Sequence, residues 1–159
     1  MASSSKSTEH WAWRGAIPLT SYYTAGRGGQ IFFRALKTRG KLIGTRCVSC
    51  QQVYLPARSF CERCFAELTE EVEVKRTGTL ISYTACYIDQ ENNRLKTPVA
   101  LALVRLEGAT TVLLHRLLGI DDPGKVKIGC RVETVIKPRS QRTGSILDIE
   151  GFKIKPAEA

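Results

Sequence analysis

The sequence predicts a mainly β protein with a small α part: an N-terminal helix, a metal-held ribbon and a five-stranded barrel. Three observations carry this expectation. Four cysteines form two Cys-x₂-Cys pairs within 18 residues, from Cys47 to Cys64. After them come about five strand-like segments, separated by short turns that contain Gly, Pro or Asp. Before them, residues 30–39 place apolar side chains at helical spacing.

Length and composition set the frame. A chain of 159 residues holds one ordinary domain, or a small domain with a stapled module. It is too short for a typical (β/α)₈ barrel of roughly 250 residues. Hydrophobic residues make up 43% and charged residues 25%, which argues against wholesale disorder. No run approaches the ~20 apolar residues of a spanning helix. The start, MASSSKSTEHWAWRG, lacks the apolar stretch of a signal peptide, and KIKPAEA at the end is no recognised address. The expected location is therefore cytoplasmic, where disulfides are uncommon. Lys plus Arg number 24 against 15 Asp plus Glu, a net charge of +9. That surface suits nucleic acid, an acidic partner or a phosphorylated small molecule, and charge alone does not choose among them.

The elements follow in order. Residues 1–29 read as a polar tail and an irregular arm, with Trp11, Trp13, Ile17, Pro18, Tyr22 and Tyr23 set among serines and glycines. Residues 30–44 read as an amphipathic helix and its lead-in. Ile31, Phe32, Ala35 and Leu36 share one face, Lys37 and Arg39 suit the C-terminal dipole, and Gly40 is the expected cap. Residues 45–70 hold the cysteine pairs. Residues 71–154 read as the barrel, and 155–159 as a short tail. Within the barrel, Glu71 to Ile88 reads as one long or two merged strands, with Gly78 expected at a bulge or bend. Val99 to Leu106, Thr110 to Leu118, Cys130 to Ile136 and Ser145 to Ile154 complete the strands, with a helical turn expected around Pro123. Five strands with little helix fit a Greek-key barrel of the OB type better than a sandwich.

The cysteine spacing carries the chemistry. Cys47-x₂-Cys50, ten residues, then Cys61-x₂-Cys64 can fold four thiolates around one ion. An S₄ tetrahedral set suits zinc, and iron takes the same set. Four protein ligands leave no open coordination position, so the role is structural. A module of about 25 residues has too small a core to fold alone, so the metal supplies its folding energy. Two disulfides or four free thiols are the competing readings, which the spacing and the expected compartment disfavour. Arg46 and Arg63 lie beside the cysteines and could offset thiolate charge. Cys86 and Cys130 sit in strand patterns and read as core thiols. Pairing either with His115 would imitate a nucleophile and its base, but only composition supports that. His10 lies in the tail. No catalytic residue is assigned.

The segments FFRALKTRGKLIGTRCVSC, QQVYLPARSFCERC, RTGTLISYT, TPVALALVRLEG and KIGCRVETVIKP resemble the DUF35 family. The resemblance runs from about Ile31 to Lys137. The family's usual Pro-Arg stands here as Pro56-Ala57-Arg58, and its Cys-Pro-x-Cys as Cys61-Glu62-Arg63-Cys64. The resemblance implies a rubredoxin-like zinc ribbon joined to an OB-fold, with Cys47, Cys50, Cys61 and Cys64 as metal ligands. It also implies a non-catalytic accessory subunit of a thiolase-like enzyme acting on acyl-CoA, with a contribution to CoA binding. It transfers no catalytic motif.

Two other functions compete. OB-folds bind single-stranded nucleic acid through a basic groove and stacking aromatics. Here Val99–Leu106 and Thr110–Leu118 are aliphatic and almost uncharged, so no stacking platform is visible. An independent enzyme using Cys86 or Cys130 with His115 is the weakest reading.

Overall fold

The computed structural model describes residues 15 and 19–156. His10, Trp11, Trp13, Ile17 and Pro18, the polar tail 1–14 and residues 157–159 lie outside the described residues. The element order is one helix, three short strands and five barrel strands: α1 (Gly26–Arg39), β1 (Leu42–Arg46), β2 (Val53–Tyr54), β3 (Glu70–Val74), β4 (Thr77–Ile88), β5 (Arg94–Leu106), β6 (Leu113–Leu118), β7 (Arg131–Ile136) and β8 (Ile149–Ile154).

Helix α1 buries Phe32, Ala35 and Leu36, the face expected from their spacing. Gly40 ends it in the left-handed conformation (φ 65°), and its N–H donates to the Ala35 and Leu36 carbonyls. The helix starts four residues before the expected Gln30. Gly26, Gly28 and Gly29 are poor helix formers, so sequence alone argued against this turn. Packing explains it: a Cβ on Gly28 would clash with the Ala57 backbone, so glycine lets the helix press against the ribbon.

Strands β2, β1 and β3 form an antiparallel sheet with β1 in the centre. Its register pairs Leu42 with Val74 and Arg46 with Glu70. Lys41–Glu73 and Arg46–Glu70 ion pairs add to it at the surface. The segment from Glu71 to Ile88, expected as one long or two merged strands, is two strands in two sheets, and β3 lies across residues 70 and 71.

Strands β4, β5, β6, β8 and β7 close into a barrel in that order. All neighbours are antiparallel except β6 and β8, which run parallel. This is the five-stranded OB arrangement expected from the strand count. Gly78 is not the bulge. It pairs regularly with Leu106, and glycine is needed there because a Cβ would strike the Arg105 carbonyl. Register shifts fall between Leu80 and Ser82 and between Cys86 and Ile88 instead. The turn around Pro123 is a short 3₁₀ helix, as expected, and another at Ile146–Asp148 delays the start of β8.

One apolar core joins the parts. Phe32 and Leu36 of α1, Leu42, Val53, Leu55 and Val74 of the ribbon, and Leu80, Val104, Val132 and Phe152 of the barrel belong to a single cluster. Polar ties fix the docking. The Arg76 and Arg142 guanidiniums donate to the Gly40 and Leu36 carbonyls at 2.8 Å each, satisfying the open end of α1 from the barrel side. The Thr110 and Thr111 hydroxyls each exchange hydrogen bonds with the backbone of Val53 and Leu55, fastening the turn before β6 to the ribbon. Among the described residues no helix is long and apolar enough to cross a membrane.

Candidate metal centre

The far end of the ribbon has its own small core: Cys47, Tyr54, Cys61 and Leu68, with Cys50 and Ala66 packed against it. Strand β1 delivers Cys47. A tight turn follows, in which the Gln51 N–H donates to the Cys47 carbonyl and the Cys47 N–H to the Gln52 carbonyl. The second turn repeats this pattern: Phe65 N–H to the Cys61 carbonyl, and Cys61 N–H to the Ala66 carbonyl. Gln51 (φ 56°) and Phe65 (φ 59°) occupy the same left-handed position, one residue past the second cysteine of each pair. Two matching knuckles therefore face each other.

The knuckles bring all four sulfurs together. The Sγ atoms of Cys47, Cys50, Cys61 and Cys64 lie within 4.8 Å of one another, and those of Cys47 and Cys64 are 3.5 Å apart. Zinc–sulfur bonds of about 2.3 Å in a tetrahedron require sulfur–sulfur edges of about 3.8 Å. The cluster thus fits a four-coordinate metal, and a donor set of four thiolates suits zinc or iron. None of the six cysteines is in a disulfide.

Burial divides the four. Cys47 and Cys61 are 0% and 1% exposed, Cys50 is half-buried and Cys64 is exposed. Each sealed sulfur meets a donor. The Cys50 N–H points at the Cys47 Sγ at 3.4 Å, and the Tyr54 hydroxyl lies 3.2 Å from the Cys61 Sγ. The Arg58 guanidinium stands 5.2 Å from the centre of the Tyr54 ring. These contacts make the four sulfurs unequal. The Tyr54 hydroxyl draws the Cys61 thiol down to about 6, and Cys61 pushes Tyr54 up to about 12. The Cys64 thiol, followed by burial, pushes Cys50 up to about 12. A bound cation would bring all four sulfurs to thiolate.

The expected charge partners fall elsewhere. Arg46 pairs with Glu70, and Arg63 is exposed. Tyr54 and Arg58, which the cysteine spacing does not indicate, supply the nearby polar groups.

The remaining candidates do not assemble. His115 points into the barrel, where its ring meets Phe152 edge-on at 6.4 Å. Burial holds its pKa below the usual range, and its Nδ1 has no hydrogen-bond partner among the described residues. Cys86 and Cys130 are half-buried on or beside barrel strands, and neither is hydrogen-bonded to His115. Burial pushes the Cys130 thiol up, which makes it a poorer nucleophile.

Comparison with known proteins matches both halves. Residues 34–70 match the family model described as ChsH2, rubredoxin-like zinc ribbon domain, and residues 71–137 match ChsH2, C-terminal OB-fold domain. A DUF35 domain-containing scaffold protein from Methanocaldococcus jannaschii is 29% identical over 130 residues, covering 79% of this chain and 89% of that one. Its namesake from Methanothermobacter thermautotrophicus is 29% identical over 127 residues, covering 78% and 92%. A crystal structure of a DUF35-family protein of unknown function from Sulfolobus solfataricus superposes with a TM-score of 0.64 at 32% identity, covering 82% of this chain and 87% of that one. A solved Ltp2-ChsH2(DUF35) aldolase matches with a TM-score of 0.57 at 26% identity, covering 89% and 98%.

Proposed function

This chain belongs to the DUF35 family, and from that membership we propose that it is a non-catalytic accessory subunit that bridges or completes a thiolase-like enzyme acting on acyl-CoA. The observation that carries this reading is the match to the Ltp2-ChsH2(DUF35) aldolase over 98% of that chain, together with relatives named as scaffold proteins. Cys47, Cys50, Cys61 and Cys64 hold a structural zinc ion that locks the ribbon. On this reading the chain works as arm, helix, ribbon and barrel, with the ribbon sheet ending at Val74.

Surface chemistry supports a docking role. Tyr22 and Tyr23 in the segment before α1 are 95% and 91% exposed, a large apolar area to leave in water. Arg34, Lys37 and Arg39 are exposed on α1 beside two open grooves of about 570 and 630 Å³. Such a cationic face suits an acidic partner surface or the phosphates of CoA. Single-stranded nucleic acid finds less support. The outward faces of β5 and β6 carry Leu101, Leu103 and Leu114 with the cations Arg105 and Arg116, and no aromatic ring for bases to stack on.

The test is isolation of the full chain from its own cells in low salt. A thiolase-like subunit is expected to co-elute in fixed proportion. A chain that elutes alone, or that retains single-stranded oligonucleotide in a salt-dependent manner, contradicts the proposal.

A further inference from the structure

The four sulfurs are not equivalent, and the difference rests on one phenol. Tyr54 is 1% exposed, on strand β2 opposite Thr45, with its ring in the small core of Cys61 and Leu68. Phenylalanine would fill the same space, so packing does not require the hydroxyl. A buried hydroxyl needs a partner. Its recorded partner is the Cys61 Sγ, at 3.2 Å. A metal-bound Cys61 is a thiolate with no proton to give, so the direction is fixed: the phenol O–H donates and the sulfur accepts. The Arg58 cation over the ring draws electron density from the phenol and strengthens it as a donor.

We infer that Tyr54 is a positioning residue of the metal centre, whose O–H takes up part of the Cys61 thiolate charge and leaves the outer sulfurs, those of Cys50 and the exposed Cys64, richer in electrons than the inner two. This rests on the reading of the four cysteines as metal ligands. The inner sulfurs are served by the protein: Cys61 by the phenol and Cys47 by the Cys50 N–H. The Cys50 and Cys64 sulfurs meet no N–H or O–H donor among the described residues, and Cys64 is the exposed one of the two. Oxidants and chelators therefore meet the site first at Cys64.

The test uses the full chain loaded with Co²⁺, whose sulfur-to-metal charge-transfer band reports how readily the thiolates give up electron density. In Tyr54→Phe the band is expected to move to lower energy, because an undonated thiolate is easier to oxidise. Zinc release to excess chelator is expected to quicken by roughly tenfold, the scale of one hydrogen bond to a charged group. Replacing the tyrosines with 3-fluorotyrosine, a stronger donor, is expected to move the band the opposite way. That arm decides the question if Tyr54→Phe does not fold. A band at the same energy in both proteins overturns the inference while leaving the metal site intact. If wild-type protein gives no charge-transfer band at all, the metal reading fails, and the inference falls with it.

Discussion

The two ends of this molecule are held by different physics. The barrel closes on itself and buries Leu80, Ala102, Val104, Leu106, Val132 and Phe152. The distal ribbon buries two cysteines, one tyrosine and one leucine. At about 25 cal/mol per Å² of apolar surface, four side chains cannot offset the cost of ordering two knuckles, whereas the barrel core can carry its strands. The contrast shows how a short chain can carry a small second element: a large core supports the barrel, and on the proposed reading a metal ion supports the cysteine turns.

The predictions test this contrast. The largest effect belongs to the ligands. Binding of structural zinc at such sites is worth on the order of 10–16 kcal/mol. Cys61→Ser is expected to drop metal content from about one ion per chain to well below one, while far-ultraviolet circular dichroism keeps the β signal of the barrel. Loss of the whole β signal would break the division between the two ends.

Phe152→Ala should show the reverse. A large buried ring is lost from the barrel, at a cost of about 3–5 kcal/mol in urea unfolding. Metal content in the remaining folded protein is expected to be unchanged.

Asp148 holds the basic loop of residues 138–144, PRSQRTG, against the start of β8. Its buried carboxylate accepts from the Thr143 N–H and hydroxyl and the Gly144 N–H at 2.7–3.2 Å. Burial alone would raise its pKa, but these donors outweigh it and hold it below the usual carboxylate range. A depressed folded pKa contributes stability above the unfolded value of about 3.9, and that stability is lost as pH falls through the folded value. Asp148→Asn is expected to cost about 1–3 kcal/mol at pH 7, measured by urea unfolding, with the difference from wild type shrinking below pH 4. A difference that stays constant down to pH 3 would refute the role of the charge.

The smallest effect is expected at Leu147, exposed beside Asp148. Leu147→Ser should change the unfolding free energy measured in urea by no more than about 0.5 kcal/mol.

The sequence was informative where a pattern is local. Two Cys-x₂-Cys pairs announce a four-sulfur cluster whatever the fold around them. The alternation from Cys130 to Ile136 announces a half-buried strand, and Val132 and Thr134 are indeed buried. It was silent where tertiary contact decides. Nothing local separates β3 from β4, since Val74 and Thr77 both suit a strand; only pairing with β1 or with β7 distinguishes them. The glycines at the start of α1 argue against a helix until Ala57 is seen packed on Gly28. Tyr54 lies seven residues before the sulfur it touches, in a position that reads as an ordinary strand aromatic.

The most direct test of the central claim is hydrogen exchange on the purified full chain before and after chelation. The account predicts that amide protection is lost from 47 to 68 and retained in the barrel strands β4 to β8. Equal loss across both regions, or no loss at the cysteine turns, would contradict it.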